Sequence, residues 1–299
     1  MNQVLPGYRI GEQIGSGAGS RIFRATRLKT GKEFAVKWVS RNNAEDDRFV
    51  EQIRSEYEIS HGLEHAVLRR SFRLHRVRRG FQVRDWLMVM EYLDGMTLAA
   101  ARPNRLNTFY NIFRRVAEGL DHMHEAGYVH ADVKPINIMI VRGGGVRIID
   151  FGQACRMGTA KQRVQGTPDF IAPEQVRKMP LDRRTDIFNL GATMYWVLTS
   201  ENFPTVLANG AEPGDRLIHT QDEPLAPSEW NDKIPKALSI LVMECCQDNP
   251  NARPANMGAV AARIESLRQR WLNVREDLRA NRTRDGLVDR DSSIDGGLA

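Results

Sequence analysis

Residues 128–152, YVHADVKPINIMIVRGGGVRIIDFG, narrow the folds open to this 299-residue chain more than any other stretch. Four apolar residues, 138–141, are followed by Arg142-Gly-Gly-Gly145 and then by Val146-Arg147-Ile148-Ile149, apolar apart from Arg147. Glycine accepts the positive φ of a tight turn, so the pattern predicts a β-hairpin centred on Gly143 and Gly144. In that register Asn137 faces Asp150 at the open end. An amide oxygen beside a carboxylate is a hard oxygen donor set. It suits Mg²⁺, which keeps waters and leans on substrate phosphates for its remaining ligands. Asp132 lies one short step earlier, placed to accept a proton from a hydroxyl.

His130-Ala-Asp-Val-Lys-Pro-Ile-Asn137 followed by Asp150-Phe-Gly152 resembles the catalytic loop and metal-binding triplet of the eukaryotic-type, or Hanks-type, protein kinases. The Asp-x-Lys-Pro-x-Asn form is similar to the serine/threonine branch, and the opening LPGYRIGEQIGSGAGS and lean loops to bacterial members. The resemblance implies an α+β, bilobal protein-kinase-like fold: a small antiparallel β-sheet N-lobe with one main helix, and a larger, mostly helical C-lobe. It implies that Asp132 is the proton acceptor and that Lys134 contacts the transferred phosphate. Asn137 and Asp150 would be the metal ligands, and His130, Phe151 and Gly152 structural members of the two motifs.

Composition fits a soluble globular protein, with 41% hydrophobic and 27% charged residues. No apolar run approaches the roughly 18 residues of a membrane span, and the N-terminus lacks a basic-then-apolar signal pattern. Three cysteines, Cys155, Cys245 and Cys246, give neither a disulfide framework nor metal-ligand spacing. A reducing cytoplasm is therefore the expected location. The net charge of +6 invites acidic partners without requiring nucleic acid.

Residues 8–14, 21–26 and 33–39 read as three short strands separated by turn signals. Between the first two lies Gly15-Ser16-Gly17-Ala18-Gly19-Ser20. No helix pattern follows these glycines, which excludes a dinucleotide fold, and Gly31-Lys32 is followed by Glu33, which excludes a Walker A loop. What remains is a strand–turn–strand flap whose N–H groups can close over phosphates. It departs from the kinase pattern in having Ser20 at the third glycine position. Ala35-Val36-Lys37 resembles the strand bearing the phosphate-holding lysine, and an ammonium half-buried in an apolar strand wants a partner. Glu56, nineteen residues on, sits in an amphipathic stretch with Phe49, Ile53 and Tyr57 after an acidic start. Glu51 and Glu58 are rival candidates, and Glu56 fits the family's position. Ser60 then occupies a site that is usually apolar behind this helix.

Residues 69–84 hold seven arginines in sixteen positions. They read as a solvated basic hairpin or, less simply, as a docking surface for an acidic partner. The following buried strand ends at Asp94-Gly95. By resemblance this is the hinge, where backbone groups of Glu91 and Leu93 bind adenine and Met90 guards the pocket behind. The implied ATP contacts also take in the glycine flap, Ile22, Ala35, Lys37 and Met139. Phe109, Ile112, Phe113, Val116, Leu120 and Met123 recur at helical spacing and make core. His122 and His124, on the same helix, read as surface or packing residues.

The 25 residues from Asp150 to Glu174 end in Gly166-Thr-Pro-Asp-Phe-Ile-Ala-Pro-Glu174, which resembles the substrate-positioning end of serine/threonine kinases. The resemblance implies that Thr167 contacts Asp132 and Lys134 and that Glu174 pairs with Arg253. It also implies that Asp186, opening an all-round apolar helix, ties down the catalytic-loop backbone. Ala131 stands where loop-phosphorylated kinases carry arginine, and residues 161–165, Lys-Gln-Arg-Val-Gln, offer no hydroxyl. Activity without phosphorylation there is the expectation, with Thr159 as a minor site. Ile136 replaces a glutamate common in basic-directed kinases.

The whole reads as a kinase domain over residues 8–270, with N-lobe 8–90, hinge 91–95 and C-lobe 96–270. Residues 271–299 form an extension whose end reads as disordered. The cofactors implied are ATP and Mg²⁺, with Mn²⁺ as an alternative, and the substrates are protein serine or threonine hydroxyls. A nucleotide-binding pseudokinase and a small-molecule kinase are the competing classes.

Overall fold

Apolar residues at every second position pair the strands of the first ninety residues into one antiparallel sheet. The computed structural model describes residues 5–207 and 224–284. It begins β1 (Tyr8–Gly17), β2 (Ser20–Arg27), β3 (Glu33–Ser40), α1 (Asp47–Gly62), β4 (Ser71–Arg79), β5 (Gln82–Glu91) and β6 (Gly95–Thr97). After α2 (Leu106–Glu125) come the short strands β7 (Tyr128–Val129), β8 (Ile138–Val141), β9 (Gly145–Ile148) and β10 (Cys155–Arg156). The rest is helical: α3 (Pro173–Val176), α4 (Arg183–Thr199), α5 (Pro227–Trp230), α6 (Lys236–Cys245) and α7 (Met257–Arg284). The chain divides into two compact units, Met1–Met96 with Met139–Cys155, and Thr97–Ile138 with Arg156–Ala299.

In the first unit the strand order is β1-β2-β3-β5-β4. Alternation along β3 and β5 sends Ala35, Val39, Trp86, Met88 and Met90 into one apolar cluster with Val50 and Ile53 of α1. The opposite face holds Phe34, Val36, Leu87 and Val89 with Leu5 and Ala25. Lys37 has the parity of Ala35 and Val39, so the pleat itself turns it toward the helix side. Asn43 starts the chain into α1 by accepting from the N–H groups of Glu45 and Asp46, while Asp46 answers to the Asn43 N–H. The buried face of α1 is Val50, Ile53, Glu56, Ile59 and Ser60.

The glycine hairpin forms as predicted: Gly143 and Gly144 take φ of 88° and 80°, and Gly144 N–H donates to the Val141 carbonyl at 3.0 Å. Its ladder nevertheless stops short of Asn137 and Asp150. Pro135 opens a 3-10 turn ending at Asn137, and Asp150 leaves the strand direction with φ of 63°. The hairpin belongs to the first unit because Leu68 bridges Ile148 in parallel and Arg69 N–H donates to the Ile148 carbonyl at 3.0 Å.

In the second unit α4 has thirteen buried residues of its seventeen, as its all-round apolar sequence requires. α2 packs along α7, with Asp121 accepting from the Gly258 N–H at 3.0 Å. α7 runs on to Arg284, well past the apolar packing read from sequence. Trp271 holds its later turns, lying 6.4 Å from the Tyr110 ring and under Arg275. Of the Pro-, Gly- and Asp-rich connection that the sequence suggests over about 202–230, residues 208–223 lie outside the described residues. Of the end expected to be disordered, 283–299, residues 283 and 284 continue α7 and 285–299 lie outside the described residues.

Candidate active site

The first unit carries a line of alternating charges. Lys37 Nζ lies 2.5 Å from Glu56 Oε2 and 3.3 Å from Asp150 Oδ1. Burial pulls the Lys37 ammonium toward neutrality, but the charges of Glu56 and then Asp150 outweigh it and leave its pKa raised. Glu56 is fully buried, whereas its rivals Glu51 and Glu58 are exposed. Asp150 keeps a side chain 44% exposed. Its left-handed backbone is uncommon for a residue with a Cβ, and such positions gather at functional sites. Phe151 is buried beside it, and a Cβ on Gly152 would push the Gln52 side-chain amide aside.

At the flap, Gly17 pairs with Ser20 and the turn falls on Ala18 and Gly19. Gly19 takes φ of 68°, and a Cβ there would overlap the Phe49 ring. The glycine therefore belongs at 19, one place before the family's third position, because Phe49 fills the space beneath it. Gly15, Ser16, Gly17, Ala18 and Gly19 line the partly or fully exposed end of β1–β2, and Ile22 is half-buried. Ala35 and Met90 are buried and paired across β3 and β5. Glu91 gives its N–H to the Arg70 carbonyl at 2.9 Å and its carboxylate to Arg147, leaving no hydrogen there for a ligand. Leu93 and Met139 are half-buried.

The second unit holds the other constellation. Asp132 Oδ1 accepts from the Thr167 hydroxyl at 3.0 Å, and Lys134 Nζ lies 2.8 Å from Oδ2. Lys134 also donates to Thr167 Oγ1 at 2.5 Å, closing a triangle. Asn137 Nδ2 donates to the Asp132 carbonyl at 2.9 Å and to its Oδ2 at 3.2 Å, which leaves the amide oxygen of Asn137 for other work. His130, fully buried, accepts the Asp132 N–H at 3.3 Å.

Beneath this loop Asp186 accepts from the N–H groups of His130 at 2.8 Å and Ala131 at 2.7 Å. Its burial favours the neutral acid, but the His124 hydrogen bond at 2.8 Å, the charges of both histidines and the backbone donors reverse this and hold its pKa below the usual range. His124, read from sequence as a surface or packing residue, is thus a buried partner of Asp186. Its place on the α2 stripe four residues after Leu120 was the available signal. Glu174 is gripped by Arg253 at 2.7 and 3.0 Å, with Thr185 donating at 2.9 Å.

Two contributors were not anticipated. Gln175 donates to the Ala131 carbonyl at 2.8 Å and the Gln165 carbonyl at 3.1 Å, tying the catalytic loop to the segment before Gly166. Arg69 begins the arginine-rich run, yet it is buried, 3.7 Å from Glu56 Oε1. That run is not uniformly solvated: Arg79 also turns onto buried Asp85 at 2.9 Å.

The pattern of the family described as Protein kinase domain matches residues 8–265. A probable serine/threonine-protein kinase of Corynebacterium efficiens is 34% identical over 276 residues, covering 87% of this chain and 41% of the relative. Serine/threonine-protein kinase A of Synechocystis sp. is 32% identical over 283 residues, 87% of this chain and 53% of its own length. Serine/threonine-protein kinase PknB of Mycobacterium tuberculosis is 28% identical over 272 residues, 87% and 43% respectively. The chain spans about two-fifths to one-half of the length of these relatives. On the family match over most of its residues, the chain belongs to the protein kinase domain family, in the Hanks-type serine/threonine branch found in bacteria.

Proposed function

We propose that the chain transfers the γ-phosphoryl group of ATP to serine or threonine hydroxyls of protein substrates. The observation that carries this reading is Asp132, whose carboxylate takes a hydroxyl hydrogen bond at 3.0 Å beside the Lys134 ammonium. That is the distance a general base needs, with a cation at hand to steady the phosphoryl oxygens. The substrate hydroxyl gives its proton to Asp132 as its oxygen bonds to the γ-phosphorus. The bond from that phosphorus to the β–γ bridging oxygen breaks, and ADP leaves. Lys37, oriented by Glu56, holds the α and β phosphates, and the flap N–H groups close over them. The transition state is loose, so placement and charge supply most of the acceleration.

Asn137 in the second unit and Asp150 in the first each bring a hard oxygen of the kind that suits Mg²⁺, or Mn²⁺ in its place, and both are assigned to hold the ion. When bound, the ion screens the phosphate charge. The Glu91 carbonyl, as an acceptor, and the Leu93 backbone are assigned to adenine, with Met90, Ala35, Ile22 and Met139 around it. The catalytic domain is residues 8–270. Residues 271–299 are its extension, although α7 is continuous across the boundary.

Activity without loop phosphorylation belongs to the same proposal. Ala131 is held from both sides, by Asp186 at its N–H and by Gln175 at its carbonyl, and residues 161–165 carry no hydroxyl. Among the described residues no helix is long and apolar enough to cross a membrane, and we assign the domain to the cytoplasm. Exposed Arg73, Arg76 and Arg78 beside fully exposed Phe81 are offered as the surface for an acidic partner.

The test is incubation with labelled ATP, Mg²⁺ and a generic protein substrate, beside Asp132→Asn. Transfer to protein, lowered about 10²- to 10⁴-fold in the variant, is expected. Nucleotide binding without transfer, or transfer only to small metabolites, overturns the reading.

A further inference from the structure

Arg69 is a buried cation for which the proposed reaction has no use. It sits at the junction of every element that carries the phosphate-side charges. Its backbone N–H is bonded to Ile148, two residues before Asp150, and its neighbour Leu68 bridges the same strand. Its side chain, 7% exposed, reaches Glu56 on α1. Glu56 spends Oε2 on Lys37, and its buried Oε1 has no hydrogen bond, only the Arg69 guanidinium at 3.7 Å. A fully buried carboxylate needs compensating charge. Without Arg69 that charge would come from Lys37 alone, which already faces Asp150.

The contact between α1 and β4 at this level is polar as well. Ser60 Oγ donates to the Glu56 carbonyl at 2.6 Å and lies at hydrogen-bond distance, 2.7 Å, from Ser71 Oγ, whose hydrogen can complete that contact, and both serines are buried. The order along the line is Arg69, Glu56, Lys37, Asp150, alternating in sign.

We infer that Arg69 is a positioning residue: it holds Glu56, and with it α1, in place, so that Lys37 need not neutralise that carboxylate alone and keeps its charge for the triphosphate. The inference rests on the proposed kinase reading for the role of Lys37, but not for the brace itself.

Arg69→Met keeps length and apolar contact while removing the charge. In the ligand-free protein we expect amides of Asp47–Gly62 to exchange about tenfold faster. With Mg·ATP we expect KM to rise about tenfold and kcat to change less than threefold, the mark of lost ground-state holding. A purely structural arginine would lower the folded fraction, and so kcat, without moving KM. Adding Arg69→Met to Glu56→Gln should cost nothing further, because the carboxylate it serves is gone. Arg69→Lys should recover at least half of the lost affinity. Unchanged exchange and KM in Arg69→Met, or a further loss on adding it to Glu56→Gln, overturns the inference. Should Arg69→Met fail to fold, the comparison in the Glu56→Gln background and the Arg69→Lys variant decide it. If the wild type binds Mg·ATP without transferring phosphate, the kinase reading fails, and exchange and ATP affinity still judge the brace.

Discussion

Glu56 and Glu174 are both buried carboxylates met by an arginine, yet the two encounters are built to different standards. Arg253 meets Glu174 as a fork, at 2.7 and 3.0 Å, and its other donors reach the carbonyls of Arg184, Gln247 and Asp248. Phe188 covers the guanidinium face at 5.0 Å. Arg69 approaches Glu56 at 3.7 Å with no hydrogen bond, and burial lowers its pKa before Glu56 partly restores it. A fork with every donor used has one geometry and gives it up only on unfolding. A looser pair, sharing its carboxylate with a lysine, can adjust when phosphate charge arrives. The first is a fixture of the fold, and the second belongs with the chemistry.

That contrast can be broken most directly at its stronger end. Arg253→Met strands Glu174 in the interior, and the urea midpoint should fall by the equivalent of about 3–5 kcal/mol, with KM for ATP unchanged. A loss below about 1 kcal/mol would put the two pairs in one class. Asp186 sharpens the comparison, since its charge is compensated by donors and a histidine without any arginine. Asp186→Asn should cost about 2–3 kcal/mol at neutral pH, as hydrogen bonds to a charged acceptor do. The folded pKa of Asp186 is lowered from 3.8, so its contribution is complete above that value and is lost as pH falls through the folded value. Wild type and variant should therefore converge in stability in acid, and a gap that persists there would assign the loss to shape. The smallest effect is expected at exposed Arg163. Arg163→Glu should lower activity about two- to threefold through the field it adds to a loop already held by Gln175. Unchanged or higher activity would count against a fixed loop.

Much of this arrangement could be read before any coordinates. Lys37 points toward α1 because a strand alternates, and Glu56 stood apart from Glu51 and Glu58 only by its fit to the family's position. The glycine hairpin announced itself through Gly143 and Gly144. The reading failed where position depends on a neighbour distant in sequence. Arg69 looked like the first of seven solvated arginines, and it turns inward because the pairing of Leu68 with Ile148 fixes its backbone. Gln175 carried no signal beyond its place after Glu174, since the two carbonyls it joins come together only in the folded unit. Asn137 and Asp150 were placed by extending a ladder that Pro135 and a left-handed Asp150 cut short.

The close approach of α4 and α6 has a practical consequence. A Cβ on Gly191 would come within 2.6 Å of Cys245 Cβ and 2.8 Å of Cys246 Sγ, so the two thiols are sealed at a helix crossing. Burial pushes the Cys245 thiol up to about 12, and Cys246 well above its ordinary range. A maleimide dye added to the native chain should therefore label half-exposed Cys155 first, and the vicinal pair only when that crossing parts. The chain thus carries a built-in clock, whose second and third tags time the rare breathing of its helical unit.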